Sequence, residues 1–179
     1  MAFGDSLSAG FGLDPGLSYP DYLQKILDQG GFGYRVVNAG ISGDTTSGGV
    51  ERLGGVLGHN PEIVILELGG NDGLRGLPVT MTRQNLEQMI QQIQKAGAKV
   101  VLAGITLPPN YGADYIRGFT ANYKDLARTY KTPLIPFLLQ DVALKPGMMQ
   151  RDGIHPTAEG NRLVAETVFR TIRPLLRKE

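Results

Sequence analysis

The sequence predicts an α/β fold in which a mainly parallel β-sheet is covered by helices on both faces. Short apolar runs rich in Val, Ile and Leu alternate with longer amphipathic segments, an order typical of such folds. The apolar runs are nearly continuous, as expected of strands that are buried on both sides. Small polar loops follow these runs, at the sheet edge where parallel α/β proteins bind their ligands.

Four apolar runs predict the strands of this sheet. Each is rich in β-branched residues or leucine and has the length of a buried strand. They cover residues 35–38, 62–68, 99–105 and 133–138.

Amphipathic segments between the strands predict helices. Pro20 suits the first turn of a helix, which the glycines at positions 30 and 31 then stop. Thr82 is predicted to cap another helix, in which apolar residues recur on one face until Gly97.

Two later segments, residues 116–130 and the stretch that begins at Pro156, are predicted to be helical from the same spacing. Residues 45–57 give a weaker helical pattern, because their glycines lower the intrinsic helix propensity. No repeat or linker interrupts the order of elements, so we expect a single domain over residues 1–179.

The composition argues against several classes of function. With 18 basic and 17 acidic residues the formal net charge is +1, so neither nucleic acid nor an anionic membrane is an expected partner. Cysteine is absent, which excludes disulfides, thiolate metal sites and cysteine nucleophiles. No stretch is apolar for long enough to span a bilayer, and the sequence shows no signal peptide.

Four loops of small and polar residues lie where chemistry is expected in this fold. Two follow predicted strands, one follows the opening residues, and one precedes the last helix. They comprise residues 4–10, 39–44, 69–73 and 152–156. Because ligands bind at the carboxyl ends of parallel strands, we expect these loops to converge.

The chain offers only two histidines as a base for a serine nucleophile. His59 precedes a predicted strand and is therefore predicted to lie in a surface turn at the amino end of the sheet. His155 follows Asp152 by three residues, a spacing that lets the carboxylate bind one ring nitrogen while the other faces outward. Taken alone, the pair is equally well explained if Asp152 only caps the last helix.

Ser6 is the predicted nucleophile. It follows the opening residues in a loop whose small neighbours leave room for a substrate. The alternative is a phosphate-binding loop, but no Gly-Lys-Ser/Thr follows and the Gly-x-Gly-x-x-Gly spacing is absent. The surroundings of Ser6 also differ from the Gly-x-Ser-x-Gly of the usual α/β-hydrolase.

Acyl transfer also requires hydrogen-bond donors for the oxyanion of the tetrahedral intermediate. Gly43 can offer its backbone N–H, Asn71 its side-chain amide, and Ser6 its own backbone N–H. The alternative is that Gly43 and Asn71 are ordinary turn residues, because both types tolerate left-handed conformations.

These segments resemble the four sequence blocks that define the SGNH, or GDSL, hydrolase superfamily. Residues 4–7 (GDSL) resemble block I, and Gly43 stands at the position of the block II glycine. Residues 70–72 (GND) resemble block III, and residues 152–155 (DGIH) resemble block V. The resemblance covers essentially the whole chain, and the blocks are specific through their order and spacing together.

Residues 38–45, 67–76 and 107–112 more closely resemble a subgroup, the bacterial multifunctional thioesterase/protease/lysophospholipases, or arylesterases. The resemblance implies a flavodoxin-like three-layer fold with strand order 2-1-3-4-5. It also implies hydrolysis of carboxylic esters, aryl esters, acyl thioesters and lysophospholipids without a cofactor or metal. A small acyl ester or thioester is therefore the expected partner.

The resemblance also assigns roles to residues. It implies a triad of Ser6, Asp152 and His155, with Gly43, Asn71 and the Ser6 amide in the oxyanion hole. It implies that loop 74–80 moves when substrate binds. The residues expected to contact the acyl chain, unless they only cover the core, are Leu74, Leu107, Pro108 and Ile154.

The opening residues depart from the family pattern. Family members carry several apolar residues before block I, which form the central first strand, whereas three residues precede Gly4 here. A missing central strand would leave backbone groups on two neighbouring strands unpaired. We therefore expect either that the natural protein has residues before Met1 or that a very short strand suffices.

Two other functions stay open on the sequence alone. A non-catalytic flavodoxin-like module would use the same edge of the sheet for binding. A carbohydrate acetylesterase would use the same chemistry on a different substrate. The resemblance is compatible with a periplasmic or secreted location, since many relatives carry signal peptides.

Overall fold

Five parallel strands form one sheet in the computed structural model, which describes residues 1–178. The strands are β1 (Ala2–Gly4), β2 (Asn38–Gly40), β3 (Ile63–Glu67), β4 (Lys99–Ala103) and β5 (Leu134–Ile135). Their order across the sheet is β2-β1-β3-β4-β5, and each neighbouring pair is parallel. The predicted α/β fold and strand order are therefore confirmed.

Helices follow the strands and flank the sheet in two packed groups. They are α1 (Ser6–Ala9), α2 (Tyr19–Gln29), α3 (Thr46–Leu57), α4 (Gly70–Leu74), α5 (Val79–Lys95), α6 (Ala113–Thr129) and α7 (Ala158–Ile172). One group joins α2 to α7, and the other joins α5 to both α3 and α6. Within residues 1–178, no helix combines the length and the apolar character needed to cross a membrane.

The central strand β1 is only three residues long. This agrees with the second of the two expectations for the opening residues, a very short first strand. Ala2 and Phe3 are fully buried, and Phe3 lies between Ala39 of β2 and Leu66 of β3 in the ladder. The strand is long enough to carry the chain from the core to the edge where Ser6 lies.

Several strand boundaries were predicted wrongly. The second strand was expected at residues 35–38 but lies at Asn38–Gly40, because β1 offers ladder partners only to those three residues. Strands β3 and β4 are shorter than expected at 62–68 and 99–105. Strand β5 ends at Ile135 because Pro136, which lacks a backbone N–H, follows it.

Helix starts were also misplaced. Helix α5 begins at Val79 behind Pro78, so Thr82 is not its cap but a fully buried residue within it. Helix α7 begins after Thr157, whose hydroxyl accepts from the Gly160 N–H at 3.2 Å, and not at Pro156. In both cases the residue that suggested a helix start, Thr82 or Pro156, lies within a few residues of the observed start.

Helix α3 forms despite its glycines, and one of them, Gly49, is required by the packing of the helix. A Cβ on Gly49 would collide with the side chain of Leu68 and lie 3.0 Å from Met89 Sδ. The weak helical pattern of residues 45–57 thus reflects close contact between α3 and the layer beneath it.

Candidate active site

Ser6 lies at the first turn beyond the central strand. It is the first residue of the one-turn helix α1, not a loop residue, and the preceding Asp5 caps that helix by accepting from the Leu7 N–H at 3.0 Å. A Cβ on Gly4 would collide with Ser8 Oγ and with a carboxylate oxygen of Glu67. Glycine at position 4 therefore lets the turn pack directly on β3.

The ring of His155 joins Ser6 to Asp152. Its Nε2 lies 2.8 Å from Ser6 Oγ, and its Nδ1 lies 2.7 Å from Asp152 Oδ2. With an ionised Asp152, Nδ1 carries the proton that it donates to the carboxylate. Nε2 is then the atom that accepts from the Ser6 hydroxyl.

Asp152 is held as a carboxylate by its own loop. Its Oδ1 accepts from the backbone N–H groups of Ile154 at 2.9 Å and of His155 at 3.0 Å. Burial alone would raise the pKa of Asp152, but the hydrogen bonds from the His155 ring and from these two amides lower it to about 2. The carboxylate is thus ionised throughout the neutral range.

Two residues that the sequence did not single out hold His155 in place. The Gln150 side-chain amide donates to the carbonyls of Phe11 at 2.8 Å and Pro156 at 2.9 Å, and its backbone N–H donates to His155 at 2.8 Å. The ring of Phe11 lies 4.6 Å from the imidazole, centroid to centroid. Neither residue carries a local motif, because both act through contacts between the first turn of the chain and its last loop.

Gly43 and Asn71 lie on the other side of Ser6. Gly43 has a φ of +81°, which favours glycine, and its carbonyl accepts from Arg75 Nη2 at 2.9 Å. Within residues 1–178, the backbone N–H groups of Gly43 and Ser6 donate to no protein acceptor. Both are therefore available to a ligand.

The side chain of Asn71 is held by two oxygens. Its Nδ2 donates to the carbonyl of Asp44 at 2.8 Å and lies 3.2 Å from Asp5 Oδ2. The following residue, Asp72, is fully buried and accepts from the Thr46 N–H at 2.9 Å and from the Thr82 hydroxyl at 3.4 Å. Helix α4, which carries Asn71, is therefore fastened to both α3 and α5.

A cleft of about 610 Å³ opens beside these residues. Ser6, Gly43, Asn71 and His155 line one part of it. The rest is mostly apolar and includes all four residues expected to contact an acyl chain, namely Leu74, Leu107, Pro108 and Ile154. Further apolar lining that the sequence did not predict comes from Ile105, Phe137, Leu139, Ala143, Leu144 and Met149.

His59 lies far from this cleft, in the exposed turn between α3 and β3. The loop predicted at 74–80 is shorter than expected, because Leu74 ends α4 and α5 begins at Val79. This segment is held by hydrogen bonds to the loop before α6 and to α6 itself: Tyr111 donates to the Leu74 carbonyl at 2.9 Å and Tyr115 to that of Leu77 at 2.7 Å. That this loop moves stays a prediction.

Behind the turn that carries Ser6 lies a buried carboxyl that the sequence analysis missed. Glu67 is fully buried, and its Oε2 accepts from the Ser8 hydroxyl at 2.9 Å and from the Asp5 N–H at 3.2 Å. Its Oε1 has no hydrogen-bond partner, and no cation within residues 1–178 pairs with it. Burial and the nearby Asp5 raise the pKa of Glu67 well above its usual value, which favours the neutral acid.

This burial predicts a pH-dependent loss of stability that Glu67→Gln removes. The folded state holds the Glu67 proton to higher pH than the unfolded state, so the stability it provides at low pH is lost as pH rises above about 4.5. We expect the free energy of unfolding of the wild type, relative to Glu67→Gln, to fall between pH 5 and pH 8 in urea titrations. Glu51→Gln, on the exposed part of α3, is the control. If the free energy of unfolding of the wild type fell equally relative to Glu51→Gln, the assignment to Glu67 would be contradicted.

Known proteins are similar to this chain in both sequence and fold. A model described as the GDSL-like Lipase/Acylhydrolase family matches residues 2–163. The chain is 49% identical to Esterase TesA of Pseudomonas aeruginosa, over 98% of this chain and 88% of that protein. It is 42% identical to Thioesterase 1/protease 1/lysophospholipase L1 of Escherichia coli, over 98% of this chain and 84% of that protein. A crystal structure of TesA, 49% identical, has a TM-score of 0.94 with coverage of 98% of both chains.

Proposed function

The chain belongs to the GDSL-like lipase/acylhydrolase family, and from this premise we propose that it is a serine esterase acting through an acyl-enzyme intermediate. The observation that carries the proposal is the hydrogen-bonded series from Ser6 through His155 to Asp152 beside an apolar cleft. In this proposal Ser6 is the nucleophile, His155 the general base and Asp152 the residue that orients it.

Acylation begins when the Ser6 hydroxyl attacks the carbonyl carbon of the ester. The proton of Ser6 passes to His155 Nε2, which lies 2.8 Å away, and the imidazolium is stabilised by the Asp152 carboxylate. His155 then returns the proton to the leaving alcohol or thiol as the bond to the acyl group breaks.

The oxyanion formed in this step needs donors that do not have to reorganise. The backbone N–H groups of Ser6 and Gly43 have no protein acceptor within residues 1–178 and suit this role. The Asn71 amide is the proposed third donor. Its bond to the Asp44 carbonyl is the shorter one at 2.8 Å, so the second hydrogen of the same NH₂ group, whose acceptor Asp5 Oδ2 lies at 3.2 Å, is the one proposed to be shared with the oxyanion.

Deacylation repeats the same proton transfers with water as the nucleophile. Water attacks the carbonyl carbon of the acyl-enzyme while His155 takes a proton from it. His155 then gives this proton to Ser6 Oγ as the carboxylic acid leaves. No group beyond the triad and the oxyanion donors is needed for this cycle.

The cleft supports acyl substrates in preference to acetylated sugars, because its walls beyond the triad are mainly apolar. Leu107 packs against Gly73 of α4 and is also part of the core, whereas Ile154 is 40% exposed at the cleft mouth. We propose that small carboxylic esters are hydrolysed. Acyl thioesters and lysophospholipids, after the activities that the Escherichia coli relative's name states, are the proposed wider range.

A fluorophosphonate probe tests the proposed function directly. The probe should phosphonylate Ser6 Oγ with loss of fluoride, because only a serine activated by a base reacts with it. We expect one adduct by intact-mass analysis, located on Ser6 by peptide mapping. The absence of any adduct on the folded protein would favour a non-catalytic binding module.

A series of 4-nitrophenyl esters, run beside acetylated xylose, separates the substrate classes. The apolar cleft predicts that kcat/KM rises from acetate to butyrate and longer chains, by up to about tenfold for each pair of methylenes. Preference for the acetylated sugar would instead identify a carbohydrate esterase.

A further inference from the structure

Arg52 of α3 makes a three-way contact beneath the loops of the site. Its Nε donates to Asp44 Oδ2 at 2.7 Å, its Nη1 to the Ala39 carbonyl at 2.7 Å, and its Nη2 to the Gly4 carbonyl at 2.8 Å. The guanidinium carbon also lies 4.5 Å from the centre of the Phe3 ring. The side chain is only 22% exposed, so these bonds are partly shielded from water.

Two of the three acceptors of Arg52, Gly4 and Asp44, stand close in sequence to an element of the proposed oxyanion hole. Gly4 ends β1, two residues before Ser6, and Asp44 directly follows Gly43. The carbonyl of Asp44 in turn accepts from Asn71 Nδ2 at 2.8 Å. A single guanidinium thus connects the segments that carry all three proposed donors.

We propose that Arg52 is a positioning residue of the esterase reaction, which aligns the three oxyanion donors through its bonds to Gly4, Ala39 and Asp44. Arg52 does not line the cleft and acts only through these neighbours. The inference rests on the proposed function, since it assigns a role within the same site.

The geometry requires arginine and not merely a positive charge. The planar guanidinium sends donors in three fixed directions, towards β1, β2 and the loop after β2, and its face packs on Phe3. Lysine keeps the charge and reaches only part of this set, and it leaves one or more of the shielded carbonyls without a donor. Arg52→Lys therefore loosens the alignment while keeping the ion pair with Asp44 available.

A loosened oxyanion hole weakens binding of the transition state more than binding of the ester itself. Arg52→Lys is therefore expected to lower kcat for 4-nitrophenyl butyrate about 10- to 100-fold, with KM within about twofold of the wild-type value. Measurements are made well below the melting temperature of each variant. A purely structural role in anchoring α3 would lower that temperature and leave kcat of the folded enzyme unchanged.

Two further variants and one rescue complete the experiment. Arg162→Lys, on the exposed face of α7, changes the same residue type outside the site and should keep wild-type kcat. Asp44→Asn weakens one of the three bonds and should lower kcat in the same direction by less. Millimolar methylguanidinium should restore kcat of Arg52→Ala several-fold and saturably, because it fits the vacated space.

The outcomes separate this inference from the proposed function. Wild-type kcat in both Arg52→Lys and Asp44→Asn, with an inactive Ser6→Ala variant, would overturn the role of Arg52 and leave the esterase intact. The role of Arg52 would also be overturned if methylguanidinium failed to restore kcat of Arg52→Ala and Arg162→Lys lost as much kcat as Arg52→Lys. Activity in Ser6→Ala would instead remove the proposed function itself.

Discussion

Ser6→Ala is expected to lower kcat for 4-nitrophenyl butyrate by at least about 10⁴-fold. The alanine variant has no atom to form the acyl-enzyme, and the oxyanion donors alone retain only a small part of the rate enhancement. The substitution removes one hydrogen bond, between Ser6 Oγ and His155 Nε2, and no core packing. We therefore expect the melting temperature to stay close to that of the wild type.

The measurement combines steady-state kinetics with thermal unfolding of the same preparation. Ser47→Ala is the matched control, because Ser47 lies on α3, outside the cleft, and its hydroxyl accepts a hydrogen bond from Asn85 at 3.0 Å. It should keep wild-type turnover. Turnover by Ser6→Ala within about tenfold of the wild type would rule out Ser6 as the nucleophile.

The sequence predicted best those features that depend on residue type and local spacing. Asp152 and His155 are three residues apart, and that spacing suffices for the carboxylate to bind the ring. The strand order was implied by the family resemblance, and the alternation of apolar runs with amphipathic segments required only that the sheet be parallel. The first strand was in doubt because three residues offered little pattern, yet Ala2 and Phe3 are fully buried.

Features that depend on contacts between distant segments were not predicted. Arg52 looks like an ordinary charged helix residue until the fold brings it to Gly4, 48 residues earlier in the chain. In the sequence, Glu67 looks like one of the last residues of an apolar strand. Only the fold shows that its carboxyl accepts hydrogen bonds from Ser8 and Asp5. Spacing rules describe neighbours on one element, so they carry no signal for such contacts.

The misplaced helix starts have a similar cause. Thr82 has the side chain of a cap, but Pro78, four residues before it, already has a φ of −56°, and α5 begins at the next residue, Val79. The buried Asp72 then accepts from the Thr82 hydroxyl inside the folded protein. The Thr82 hydroxyl, which the sequence predicted to cap a helix, therefore makes a tertiary hydrogen bond instead.

Asp152→Asn is expected to lower kcat by about 10⁴-fold while leaving the fold unchanged. Asparagine keeps an oxygen that accepts from the Ile154 and His155 amides, so the loop retains both of its short-range bonds. Its side-chain NH₂, however, donates to His155 Nδ1 where the carboxylate accepts. The ring is then forced to carry its proton on Nε2, which can no longer accept the proton of Ser6.

Asp152→Ala makes the comparison decisive, because it removes the carboxylate without imposing the wrong tautomer. We expect Asp152→Ala to lose loop stability, seen as a lower melting temperature, and to retain at least as much kcat as Asp152→Asn.

Because the Asp152 pKa is about 2, the wild-type carboxylate stays ionised above pH 4, and any acid limb of kcat/KM there belongs to another group. Nitrogen NMR of the imidazole reports the tautomer in each variant. If Asp152→Asn kept kcat within about tenfold of the wild type, Asp152 would be only a turn-forming residue before α7, and His155 would need another partner.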